Sequence, residues 1–165
     1  MPTEEVFTLP ERNSMNGTIV STKPLSHNGT VIEGIVFKVE NGKIVEAHAK
    51  QGEEVLRSAI SVDEGASYFG EVALVPYDSP ISNLKLLFYN TLFDENAVCH
   101  LAIGRGFTDT IRDCHNKTLD ECRQLGINES MIHEDFMIGC DSMNIDAICA
   151  DGKVVPIFRN GNWAF

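Results

Sequence analysis

Apolar and β-branched residues fill positions 31–40 (Val-Ile-Glu-Gly-Ile-Val-Phe-Lys-Val-Glu), stop at Asn41-Gly42, and resume over positions 43–48. Asn-Gly between two such runs predicts a hairpin, because a type I′ turn needs positive φ at both central residues. Residues 147–150, Asp151-Gly152 and residues 153–158 repeat the device, and Asn160-Gly161 marks a further turn before Trp163. Positions 71–75 read as a buried strand ended by Pro76, and positions 133–139 as another. In residues 52–60 the apolar positions are 55, 56, 59 and 60, the spacing of one helical face. Thr118 followed by Glu121 is a capping box, and Gly126 is the matching stop, so residues 118–125 predict a second helix. No repeat, low-complexity tract or linker interrupts the pattern. The expectation is one α+β domain over residues 1–165, strand-rich, with antiparallel hairpins and two or three helices.

Composition supports a folded chain. The 165 residues are 43% hydrophobic and 22% charged, enough to bury a core without disulfides. No apolar run approaches about 18 residues, so a membrane-spanning helix is excluded. The opening Met1-Pro2-Thr3-Glu4-Glu5 has no apolar leader, so no secretory signal is expected, and the sequons at Asn16, Asn28, Asn116 and Asn128 carry little weight. Two acidic residues entering Val6-Phe7 without lead-in read as the middle of a longer chain. Lys and Arg total 13 against 24 Asp and Glu, for a net charge of −11. That field repels nucleic acid and anionic membranes and attracts divalent cations. The five cysteines are odd in number and lack C-x-x-C spacing, which reads as reduced thiols in the cytoplasm. A zinc site from Cys99, His100, Cys114 and His115 is conceivable, but its spacing is irregular.

Five possible metal ligands stand at the edges of apolar segments: Glu5, Glu71, His100, His133 and Asp135. A carboxylate or imidazole drawn into a core needs a partner, because an unpaired buried charge is expensive. His133-x-Asp135 is the most telling pair. Residues i and i+2 of a strand share a face, about 7 Å apart, within reach of one ion or two adjacent ions. The plainer reading is a solvated strand face, and each of the others taken singly also has a plain reading, His100 as a core histidine among them.

Longer blocks shift the balance. The acidic start, Gly70-Glu71-Val72-Ala73-Leu74-Val75-Pro76-Tyr77-Asp78-Ser79-Pro80, Phe88-Tyr89-Asn90-Thr91-Leu92-Phe93-Asp94-Glu95-Asn96, Cys99-His100-Leu101-Ala102-Ile103-Gly104, His133-Glu134-Asp135-Phe136-Met137-Ile138-Gly139 and Phe158-Arg159-Asn160-Gly161-Asn162-Trp163 resemble, in order, the metallo-aminopeptidases of the aminopeptidase T, aminopeptidase S and PepS kind. The resemblance runs over essentially the whole chain but corresponds to the C-terminal, metal-binding part of those enzymes. Their preceding α/β domain has no counterpart in these residues.

The resemblance implies that Glu5, Glu71, His100, His133 and Asp135 bind two divalent ions (zinc, cobalt or manganese), with Glu71 as the bridge. It implies a peptide substrate, a homodimer, and hydrolysis of the N-terminal residue by a water that two ions activate. Glu4, beside Glu5, is the candidate base, though neighbours on a straight strand face opposite ways, which leaves a solvated or supporting acid as the alternative. Asp78 and residues 94–96 are candidates for orienting ligand histidines, with turn chemistry the plainer role for Asp78. One position departs from the family. Seven residues after His100 the family has a tyrosine that assists catalysis, and this chain has Phe107, with Tyr77 and Tyr89 as possible stand-ins. The alternative function is therefore a non-catalytic metal-binding or dimerising remnant of such an enzyme.

Overall fold

A computed structural model describes residues 3–165; Met1 and Pro2, which open the acidic block, lie outside the described residues. The chain first lays down β1 (Val6–Thr8), β2 (Gly17–Val20), β3 (Leu25–His27), β4 (Thr30–Ile32), β5 (Val36–Glu40) and β6 (Lys43–His48). Helix α1 (Glu53–Ala59) and β7 (Phe69–Leu74) follow, then the single-turn helices α2 (Pro80–Asn83) and α3 (Thr91–Asp94), and β8 (His100–Gly104). Helix α4 (Leu119–Gln124), β9 (His133–Met137), β10 (Ile145–Ile148), β11 (Val154–Arg159) and β12 (Asn162–Trp163) complete it. Among the described residues every strand pairing is antiparallel, as the α+β expectation requires.

The turns decide the connectivity. Asn41 (φ 49) and Gly42 (φ 80) close β5 onto β6 in the expected left-handed pair, and Asn160 (φ 50) with Gly161 (φ 74) joins β11 to β12. Residues 31–40 are not one strand, however. Gly34 (φ 63) breaks the run, and β4 pairs instead with β3 across a further Asn-Gly turn, Asn28 (φ 48) and Gly29 (φ 77). The Asp151-Gly152 hairpin is also wider than a two-residue turn. Only Gly152 (φ 81) is left-handed there, and the Cys149 N–H donates to the Lys153 carbonyl at 2.8 Å around a loop of Ala150, Asp151 and Gly152. Helix α4 carries the capping box read from sequence. The Thr118 hydroxyl accepts the Glu121 N–H, the Glu121 carboxylate accepts the Thr118 N–H, and Gly126 (φ 93) ends the element.

Strands β1, β7, β8 and β9 form the central four-stranded sheet, in the order β1-β7-β8-β9. Its lower face carries Leu101, Ile103 and Phe136, which join Ile32, Ile35, Phe37 and Leu56 in the main core. Phe37 meets Phe136 edge-on, with centroids 5.3 Å apart, the arrangement that aromatic quadrupoles favour. With that face committed to the core, the period of two sends Glu71, His100, Ala102, His133 and Asp135 to the opposite face.

Candidate metal centre

Strand register gathers these side chains. Glu71 pairs with Ala102, and Ala102 with Asp135, so three adjacent strands contribute one row across the sheet. His100 and His133 lie two residues along β8 and β9 and therefore share that face. Ala102 sits in the middle of the row with 0% exposure. Its single methyl leaves open the space into which Glu71 and Asp135 lean. Glu5 reaches the group from the sheet edge, immediately before β1, which pairs with β7.

The donor atoms fall into two overlapping groups, Glu5–Glu71–His100 and Glu71–His133–Asp135. His100 Nε2 lies 3.4 Å from Glu71 Oε1, 3.9 Å from Glu5 Oε1 and 4.0 Å from Asp135 Oδ1. His133 Nε2 lies 3.6 Å from Glu71 Oε2 and 3.5 Å from Asp135 Oδ2. Glu71 and Asp135 thus divide their oxygens, one toward each histidine. Four ligands in a tetrahedron about 2.1 Å from an ion stand roughly 3.4 Å apart, so the observed spacings suit metal ligation.

Each imidazole is oriented from behind. His133 Nδ1–H donates to the Arg105 carbonyl at 2.6 Å, and His100 Nδ1–H to the Val98 carbonyl at 3.2 Å. A carbonyl only accepts, so a proton sits on Nδ1 and Nε2 faces the cluster. His100 Nε2 and Asp135 Oδ1 are buried without any hydrogen-bond partner. Orphaned buried polar atoms are costly, and these two, 4.0 Å apart, are of the chemistry that ligates a cation. The mixed carboxylate–imidazole set suits zinc, cobalt or manganese.

Without metal the cluster is held by protons. Burial opposes the charged form of His133, yet the hydrogen bond and charge of Asp135, the Arg105 carbonyl and Glu71 lift its pKa to about 9. His100 is raised in the same way: burial opposes its charge, and Glu71, Asp135, Val98 and Glu5 prevail. Burial, followed by the charges of Glu71 and Asp135, pushes Glu5 up against the opposing pull of His100.

A model of the family described as thermophilic metalloprotease (M29) matches residues 1–163. The chain belongs to the M29 family. It is 56% identical over 165 residues to aminopeptidase AmpS of Bacillus subtilis (strain 168), covering 100% of this chain and 40% of that protein. It is 44% identical over 163 residues to aminopeptidase T of Thermus thermophilus, with 99% and 40% covered. The solved structure of wild-type AmpT from Thermus thermophilus superposes with a TM-score of 0.93 at 44% identity, over 99% of this chain and 40% of that one. The chain thus spans about 40% of the length of the curated M29 relatives it matches.

Sequence reasoning missed one member of this M29 centre. Glu95, in the turn after α3, lines the cavity at the cluster, and its pKa is raised to about 8 by burial and by the nearby Asp135 carboxylate. The Asp94-Glu95-Asn96 run had suggested support for histidines, and its members divide the work. Asp94 accepts the Phe88 and Asn90 N–H groups, Asn96 donates to the Leu92 carbonyl, and Glu95 alone faces the donors. Glu4 is exposed and is not among the residues lining the cavity. Asp78 accepts the Asn83 amide at 2.8 Å, which is turn chemistry. Tyr77 and Tyr89 are exposed and line no part of the cavity, whereas the Phe107 ring does, 4.6 Å from the His133 ring. All five cysteines are free thiols, and Cys114 and His115 join neither donor group.

Proposed function

We propose that residues 1–165 form the catalytic, metal-binding domain of an aminopeptidase that removes the N-terminal residue of peptides. The observation that supports this most is the division of Glu71 and Asp135 between two histidines, in a family of metalloproteases whose relatives carry the name aminopeptidase. Glu5, Glu71, His100, His133 and Asp135 would hold two divalent ions (zinc, cobalt or manganese), and Glu95 is in reach to add a sixth donor. Bound there, the ions would supply Lewis acidity that lowers the pKa of water and polarises a peptide carbonyl. Phe7, Leu92 and Phe107 wall a cavity of about 240 Å³ over the donors and would screen the reacting bond from solvent. Its carboxylates would pair with the free α-amine, which distinguishes a chain end from its middle.

A proton carrier is also required, and two carboxylates are candidates. Adjacency to Glu5 supports Glu4; a place in the cavity and a raised pKa support Glu95, which we favour. Glu4→Gln and Glu95→Gln, compared side by side, separate the roles. Loss of the carrier lowers kcat about 100-fold or more with metal content unchanged, whereas loss of a ligand lowers metal content as well.

The free thiols suit a reducing cytoplasm, and a homodimer is proposed from the likeness to the family. The deciding assay is hydrolysis of leucyl- and arginyl-p-nitroanilide by the 165-residue chain with Zn²⁺, Co²⁺ or Mn²⁺. Metal-dependent turnover supports the enzyme. Binding of two ions without turnover supports a non-catalytic domain, a reading that Phe107 favours because a phenyl ring donates no hydrogen bond to a developing charge. Phe107→Tyr adds a hydroxyl at the cavity wall and is expected to raise kcat about tenfold or more.

A further inference from the structure

Resting on the reading of this site as a metal centre, we infer that Asn128 is the positioning residue that sets the aim of His133. Asn128 is 1% exposed, although its Asn-Glu-Ser context is a sequon. Its Nδ2 donates to the Gly104 carbonyl at 2.6 Å and to the Gly65 carbonyl at 2.8 Å, and its Oδ1 accepts from Arg12 Nε at 2.9 Å. Its backbone carbonyl accepts the Gly106 N–H at 2.9 Å. Asn128 therefore grips both neighbours of Arg105.

Peptide geometry turns that grip into an aim. The peptide between Arg105 and Gly106 is planar and trans, so its C=O points opposite to its N–H. With the Gly106 N–H tied to Asn128, the Arg105 carbonyl must point the other way, at His133 Nδ1. The preceding peptide is fixed by the same logic: its carbonyl, Gly104, meets the Asn128 side chain, and its N–H, Arg105, donates to Ile132 at 2.7 Å. Gly70 packs behind, since a Cβ there would lie 2.2 Å from the Arg105 carbonyl oxygen, and this crowding resists a peptide flip. Asn128 touches no donor of the centre, and its influence passes through the Arg105 carbonyl to a single histidine. The His100 side, oriented by Val98, lies outside this chain of contacts.

The test is imidazole ¹⁵N NMR of the 165-residue chain, first metal-free and then titrated with Zn²⁺, in which each histidine reports its own ion. In Asn128→Ala, the Zn²⁺ concentration that half-saturates His133 is expected to rise about tenfold or more, with His100 moving less than about twofold. Phe158→Leu, in the separate β10–β11–β12 sheet, is the control for general destabilisation and leaves both histidines at their original half-saturation. Asn128→Ser, which keeps a donor, serves if the alanine variant does not fold. Unchanged His133 behaviour, or equal weakening at both histidines, overturns the positioning role. Failure of the unsubstituted chain to bind Zn²⁺ at either histidine would instead overturn the metal-centre reading itself.

Discussion

Glu71→Gln is expected to remove both ions at once and to lower metal-dependent peptidase activity about 1,000-fold or more. The reason is its double duty: Oε1 faces His100 and Oε2 faces His133, 3.4 and 3.6 Å away. Asp135 also turns an oxygen toward each histidine, but only Glu71 belongs to both donor groups. Glutamine keeps the shape but turns one oxygen into an NH₂ donor, which repels a cation and cannot ligate it. The carboxylate charge goes too, in a position only 6% exposed, where solvent cannot restore it. Folding of the metal-free chain changes far less, because lost pairing with the two histidines is offset by relief of the repulsion from Glu5 and Asp135. Thermal melts therefore read the effect cleanly. At a Zn²⁺ concentration about 100 times the dissociation constant, ligation stabilises the original chain by about 2.7 kcal/mol and leaves the variant almost unmoved. Wild-type Zn²⁺ stabilisation in Glu71→Gln would refute a shared bridging carboxylate.

What the sequence made legible follows the reach of its signals. Asn41-Gly42 and the Thr118–Glu121 box are local, and the structure keeps both. Gly34 was legible as a glycine but not as the point where a run divides between two sheets, because that depends on a β3–β4 hairpin formed upstream. Glu71, His100, His133 and Asp135 stood out because polar groups in apolar strands need partners, and register then brought them to one face. Glu95 was obscured by its setting. It lies in a polar run that reads as support for ligand histidines, and only the packing of that turn against β9 brings it to Asp135. Asn128 drew notice only as part of a sequon given little weight, since hydrogen bonds to Gly65, Gly104 and Arg12 leave no local trace.

Metal-free protein should lose stability as pH rises from 6.5 to 9, and saturating Zn²⁺ should flatten the slope. The sign follows from which state holds more protons. In the folded chain His133 titrates near 9, against 6.5 for a free imidazole, so across this window the native state binds a proton that the unfolded chain has released. Stability from that group is complete below 6.5 and is lost as pH climbs through 9. Glu95 adds to the trend at its lower end, because its folded pKa of about 8 exceeds the ordinary 4.5, and the native state again holds the extra proton between those values. After allowance for solvent screening at a half-buried ring, the loss amounts to on the order of 2 kcal/mol. Ions compete for the same lone pairs. Binding must displace protons from His133, His100 and Glu95, so Zn²⁺ affinity rises with pH and protons are released on loading. The two effects have opposite signs in one molecule, which separates them from any general pH effect on the fold. Chemical denaturation at pH 6.5 and 9, with EDTA and with Zn²⁺, measures both. Parallel slopes in the two conditions would mean that the protons and the ions do not share a site.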